Sequence, residues 1–352
     1  MTVPLLGFGC MRLARISPDN PAIDYPTVRK MIARAMNAGC NYFDTAYMYH
    51  GGESEKCLGE LLKEYPRDSY YLTDKMPVWF AKKESDIERI FKEQLARCKT
   101  GYFDFYMLHS LNAANWKLAQ KFHAYEFLAR MKKEGKIRKL GFSFHDTPEV
   151  LKTIVKAQPW DFAQIQLNYL DWELYRSREQ YEILTQAEIP VIVMEPLRGG
   201  ALASLSPDAT EILRRSDPDS SNAAWAFRYA ASLPNVLCVL SGMSLPEHLE
   251  DNIKTFSPLK PLSDGERAAL DATESLPQTS GSSLHGVPLL PAVSGRCGNS
   301  ENLRNLQSIQ NFRQPLAVQQ QLPCHSGRIP RGCLRQLQTL CAALSAENSD
   351  SR

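Results

Sequence analysis

Four residues able to move a proton onto an oxygen stand in chain order as Asp44, Tyr49, Lys75 and His109. A phenol with an ordinary pKa of about 10 is a poor acid at neutral pH, and a nearby ammonium favours its ionised form. An aspartate would hold that lysine charged and in place, while a histidine would orient the substrate oxygen. The quartet thus describes a proton-donor site. Singly, each member has a plainer reading. Asp44 or Lys75 would serve as a salt-bridge partner, Tyr49 as a loop aromatic, and His109 in Tyr106-Met107-Leu108-His109-Ser110 as a satisfied core histidine. Their joint placement favours the site.

Holding the four together requires a repeating scaffold. Short β-branched or aromatic runs at 7–11, 41–44, 70–75, 105–109, 139–143, 162–167, 190–194 and 236–240 read as strands. Stretches with apolar residues three and four apart follow them as helices. These cover 25–38, 53–62, 85–98, 116–133, 148–157, 176–187, 222–231 and 246–255. The first carries Val28, Met31, Ala35 and Met36 on one face. Eight strand–helix pairs fit a (β/α)8 TIM barrel better than an open doubly wound sheet. The first half also lacks a strand–GxGxxG–helix unit, since Gly7-Phe8-Gly9-Cys10 is too short and runs toward Arg12. In a barrel, chemistry sits at the C-terminal strand ends. Asp44, Lys75 and His109 close strands two, three and four, and Tyr49 lies five residues past Asp44.

The whole chain has 352 residues, 43% hydrophobic and 23% charged, as in an ordinary globular protein. Forty-one Lys+Arg against 39 Asp+Glu leave +2, too little to imply a nucleic-acid or membrane partner. No apolar run approaches the ~20 residues of a membrane helix. The start has no basic segment followed by a long apolar one, so a cytoplasmic protein is expected. Nine cysteines form no C-x-x-C, which argues against zinc or iron–sulfur ligation, and an odd count without a secretion signal argues against a disulfide framework. Cys10, Cys40, Cys57, Cys98 and Cys238 read as buried thiols. Composition shifts near residue 276: 277–352 hold no lysine, nine glutamines and a single aromatic, Phe312. The expected organisation is a barrel over 1–276 and a low-complexity, largely non-globular tail over 277–352.

Longer phrases now matter. Asn41-Tyr42-Phe43-Asp44-Thr45-Ala46-Tyr47-Met48-Tyr49, Leu72-Thr73-Asp74-Lys75 and Asp104-Phe105-Tyr106-Met107-Leu108-His109 carry the quartet. With Gly7-Phe8-Gly9-Cys10-Met11-Arg12-Leu13, Gly141-Phe142-Ser143, Gln164-Ile165-Gln166-Leu167-Asn168-Tyr169 and Met194-Glu195-Pro196-Leu197-Arg198-Gly199-Gly200, the chain resembles the aldo-keto reductases over about residues 3–256. The resemblance implies a barrel that binds a nicotinamide cofactor and reduces small-molecule carbonyls. Tyr49 would be the general acid, tuned by Lys75 and Asp44, with His109 positioning the carbonyl. It assigns the cofactor carboxamide to Ser143 and Gln166, with Asn168 a further candidate. Leu197, Arg198, Gly199 and Gly200 would approach the pyrophosphate, where glycines permit close backbone contact and Arg198 offers charge. Ser241, Gly242, Met243 and Ser244 lead into a helix as an anion site, with His248 and Asn252 toward the adenine.

Two departures qualify the likeness. Phe144-His145-Asp146 follows Ser143 where many members have Asn. The strand-eight loop also lacks the Lys and Arg that grip a 2′-phosphate, so NADP is expected as the family tendency and NAD competes. One family branch appends a ferredoxin-like 4Fe-4S module, and Gly141-Phe142-Ser143-Phe144-His145-Asp146 with Asn168-Tyr169-Leu170-Asp171-Trp172 is similar to it. The tail lacks the cluster motif, so no 4Fe-4S cluster is expected. Permitted codons for 284–301, read one base later, can spell Cys-Thr-Ala-Cys-Arg-Tyr-Cys-Leu-Pro-Cys-Pro, which points to a shifted reading frame. A genuine extension is the alternative.

Two other functions fit part of the pattern. One is a cofactor-binding regulatory or redox-sensing barrel with little catalysis. The other is a lyase with a Schiff base at Lys75. Trp79, Phe80, Tyr169 and Trp172 offer either a substrate pocket or rim packing. The physiological substrate and the oligomeric state are not legible.

Overall fold

The computed structural model describes residues 2–274. The expectations for the tail, its shifted frame and Cys297, Cys324, Cys333 and Cys341 fall outside these residues. Within them the eight expected strands form one closed parallel barrel. They are β1 (Leu6–Gly9), β2 (Tyr42–Asp44), β3 (Tyr71–Met76), β4 (Phe103–Leu111), β5 (Ile137–Phe144), β6 (Phe162–Gln166), β7 (Val191–Met194) and β8 (Val236–Ser241). Each strand pairs with its successor, and β8 returns to β1 through Leu6 opposite Val239 and Gly7 opposite Leu240. This is a (β/α)8 TIM barrel.

The first helices are α1 (Tyr25–Asn37), α2 (Glu53–Leu61), α3 (Ser85–Arg97), α4 (Ala113–Lys121), α5 (Ala124–Lys133) and α6 (Pro148–Ala157). They continue as α7 (Asp171–Leu174), α8 (Ser177–Gln186), α9 (Pro207–Ser216), α10 (Asn222–Ala231), α11 (Pro246–Phe256) and α12 (Asp264–Glu274). Local chemistry starts several of them. The Asp24 carboxylate accepts from Thr27 N–H and Pro26 opens α1, whose face of Val28, Met31, Ile32 and Ala35 is buried. Three expectations needed correction. The helix read through 116–133 is two, because His123 turns left-handed (φ 47) between α4 and α5 while apolar spacing continues across the break. The first strand ends at Gly9, where a tight turn over Cys10–Arg12 takes over. The one-turn helix α7 lies outside the expected set, as do α9 and α12. Both are capped, α9 by Ser206 and α12 by the reciprocal Ser263 and Glu266 box.

Side chains alternate along each strand, so one set faces the helices and the other fills the lumen. Tyr42, Phe105, Met107, Phe162, Ile192 and Cys238 lie in one buried cluster distinct from the helix-facing core. A Cβ on Gly7 would meet Leu240 Cδ2 at 2.7 Å and Cys238 Sγ at 2.8 Å, so the first strand keeps glycine there. Two residues further along the same faces the character changes from apolar to polar. Tyr42 gives way to Asp44, Met107 to His109, and Phe162 to Gln164 and Gln166. The polar layer marks the C-terminal mouth.

Candidate active site

The closed sheet sets β2 beside β3 in the register Asp44 opposite Thr73, and β3 beside β4 with Lys75 opposite Met107. Asp44 and Lys75 therefore enter the same layer from neighbouring strands. Lys75 Nζ donates to Asp44 Oδ1 at 2.5 Å, to the Thr45 carbonyl at 2.7 Å and to Tyr49 Oη at 3.3 Å. Both Lys75 and Asp44 are buried, and Tyr49 is half-buried. The His109 ring stands edge-on to Tyr49, with centroids 6.2 Å apart and planes at 83°. The four expected residues meet.

Their electrostatics follow from burial and from each other. Burial by itself works against the charge on Lys75, but the Asp44 carboxylate and Tyr49 outweigh it, so the ammonium is held protonated. Burial raises the Tyr49 pKa more than the pull of Lys75 lowers it. The expectation from sequence, that the ammonium favours the phenolate, is thus corrected by desolvation. In the fold the phenol keeps its proton at neutral pH. Burial first, then the Lys75 charge, push the His109 pKa well down, leaving a neutral imidazole. Its Nδ1 is buried without a hydrogen-bond partner among the described residues, as is Gln164 Oε1.

The residues expected at a cofactor divide into groups. Gln166 and Asn168 converge on Asp171, donating to its Oδ2 at 2.8 and 2.6 Å, and Asp171 N–H donates back to Asn168 Oδ1. Arg198 reaches the same carboxylate, Nε to Oδ1, at 3.3 Å. Asp171 thus ties the segment after β6 to the loop after β7, a role missed from sequence; the local signal is an Asx-type return to Asn168. Arg198 is therefore held against a carboxylate instead of presenting an uncommitted charge. Leu197 leads into a turn where Gly199 (φ 67) and Gly200 (φ 101) are left-handed, which glycine accepts most readily. Ser143 Oγ accepts from Ser110 N–H at 2.7 Å across β4 and β5.

The strand-eight loop is less uniform. Ser241 Oγ accepts from Asn252 at 2.8 Å, and Asn252 is buried beneath the loop instead of facing outward. Met243 is fully buried, whereas Gly242 and His248 are exposed. Ser244 Oγ donates to the Arg12 carbonyl at 2.9 Å. Arg12, overlooked in sequence, runs beside Gly242 and pairs with Glu195 at 3.9 Å. Of the four aromatics considered for the pocket, Trp79 lies 5.2 Å from His109 and Phe80 is exposed beside it. Tyr169 and Trp172 instead meet the Tyr229 ring edge-on, at interplanar angles of 77° and 84°, which makes them rim packing.

Comparison with known proteins agrees with this geometry. A model of the aldo/keto reductase family matches residues 5–275. An uncharacterized oxidoreductase of Bacillus subtilis, YqkF, is 26% identical over 278 residues, covering 71% of this chain and 86% of that protein. The NADH-specific methylglyoxal reductase of Escherichia coli is 22% identical over 311 residues, covering 73% and 91%. Among solved structures, the holo form of an aldo-keto reductase from Bacillus halodurans superposes with a TM-score of 0.64 at 26% identity, covering 76% and 91%. With the family match running through all eight strands and Lys75 joining Asp44 to Tyr49 at their C-terminal mouth, this chain is a member of the aldo/keto reductase family.

Proposed function

We propose that this protein reduces the carbonyl of a small molecule to an alcohol, with Tyr49 as the proton donor. The observation that carries the reading is Lys75 Nζ bonded at once to Asp44, Thr45 and Tyr49 in a buried position. A bound reduced nicotinamide supplies the hydride. Tyr49 gives its Oη proton to the substrate oxygen, and the adjacent ammonium stabilises the phenolate left behind. Asp44 keeps Lys75 charged and aimed. Neutral His109 orients the oxygen. A Schiff base at Lys75 would need a free amine, which the ion pair with Asp44 opposes.

The residues at the mouth suit a nicotinamide dinucleotide. His109 Nδ1 and Gln164 Oε1 are buried polar atoms with bonding capacity to spare. Ser143, Gln166 and Asn168 supply polar groups at adjacent strand ends, and the left-handed Gly199-Gly200 turn lets backbone approach an anion. Leu197, Arg198 and the 241–244 loop flank that approach, with His248 outside it and Asn252 supporting Ser241 from below. NADP is the cofactor we favour over NAD, because Arg12 beside Gly242 brings a cation that the strand-eight loop lacks.

We take 1–276 as the catalytic unit of a cytoplasmic enzyme and 277–352 as a tail without a cluster-binding role. Among the described residues no helix is long and apolar enough to cross a membrane. The test is Tyr49→Phe, which lowers turnover by at least ~10²-fold, within the usual range for general acid catalysis, and leaves nucleotide affinity nearly unchanged. Retained carbonyl reduction would overturn the assignment. Parallel titrations with NADPH and NADH decide the cofactor, and iron analysis of anaerobically purified protein tests the tail.

A further inference from the structure

His50 follows Tyr49 directly and adopts a left-handed backbone (φ 52, ψ 36), as do Gly51 (φ 65) and Gly52 (φ 92). Glycine suits all three positions, and a histidine persists at such a φ only where its surroundings over-determine it. Here the side chain does so. Its Nε2 accepts from Leu13 N–H at 3.2 Å, across 37 residues of sequence. Accepting at Nε2 requires a neutral ring, because a protonated imidazole carries a hydrogen on both nitrogens. One imidazole thus ties the turn that carries Tyr49 to Leu13 in the loop after β1. Ser54 makes a second link between the same segments, contacting Thr45 Oγ1 at 2.8 Å and donating to the Cys10 carbonyl at 3.1 Å.

We propose that His50 is a positioning residue for Tyr49, its neutral ring stapling the Tyr49 turn to the loop after β1 and so fixing where the phenol stands. This rests on Tyr49 being the proton donor. The charged group facing the ring is Arg15; burial and then that guanidinium lower its pKa, while the Met11 carbonyl opposes the shift. At neutral pH the staple is closed. As pH falls through that lowered value, Nε2 gains a proton and confronts the Leu13 N–H donor to donor, so the staple opens on the acid side.

The experiment measures kcat and KM of the full chain with NADPH and 4-nitrobenzaldehyde from about pH 5 to 9, spanning the histidine range. His50→Gly removes the ring while relaxing the backbone, so the thermal midpoint holds while kcat falls roughly tenfold or more, because misplaced reacting groups lose rate steeply. His50→Gln offers an amide oxygen that accepts at every pH. It retains most of the neutral-pH kcat and lacks the acid-side decline of the wild type. A His50→Gly kcat within about twofold of wild type, or an acid limb unchanged in His50→Gln, overturns the proposal. Tyr49→Phe in the same assay separates the two readings: if it stays active, the failure lies with the proton-donor assignment.

Discussion

Lys75 Nζ lies 3.3 Å from the phenolic oxygen of Tyr49 and 4.7 Å from the centroid of the same ring. The ammonium therefore meets both the group that would lose charge-neutrality in proton transfer and the π face beside it. Its other contacts, Asp44 and the Thr45 carbonyl, leave it little freedom to swing away.

Breaking that buried pair has a stability consequence separable from its chemistry. Lys75→Met strands the Asp44 carboxylate in the lumen, and removing one partner of a buried pair costs about 3–5 kcal/mol. Thermal denaturation should show this loss. The double variant Lys75→Met/Asp44→Asn should recover much of the stability, yet neither variant should reduce carbonyls. Activity in the double variant would remove Lys75 from the proposed mechanism.

The raised pKa of Tyr49 predicts where its proton leaves the free protein. Burial favours the neutral phenol, so the folded value lies above the ordinary one. A difference absorbance titration of wild type against Tyr49→Phe should show this phenolate appearing only above about pH 10. Phenolate absorbance already present at neutral pH would contradict the electrostatic account.

Asp171 predicts a binding defect without chemistry. Asp171→Ala deprives Gln166 and Asn168 of a common acceptor and releases Arg198 from its ion pair. Hydrogen bonds to a charged group contribute about 1.5–3 kcal/mol each. Losing the alignment of one ligand contact of that size weakens nucleotide binding by roughly tenfold or more. Fluorescence titration with NADPH measures it. An unchanged affinity would confine Asp171 to holding the loops together.

The amino-acid order alone carried the barrel, because alternation along a strand and three–four spacing along a helix are local and survive without knowledge of partners. It also carried Asp44, Tyr49, Lys75 and His109, since each stands at or just beyond a strand end that the pattern makes visible. Local signals for α9 and α12 stand in Ser206-Pro207 and in Ser263 with Glu266, as capping chemistry and not as apolar periodicity. The break at His123 lay deeper, because apolar spacing runs on from α4 into α5 and only a backbone dihedral separates them. What closure of the sheet decided is which side chains touch. Asp171 gathers residues from the ends of β6 and β7, Arg12 reaches from β1 to Glu195 beyond β7, and His50 bonds a turn 37 residues upstream. Such contacts depend on the register and the cyclic order of eight strands, and the pairing of β8 with β1 leaves no mark in any short stretch of sequence. The balance between burial and charge at Tyr49 belongs to the same class, because desolvation is set by everything packed around a group and not by its neighbours in the chain.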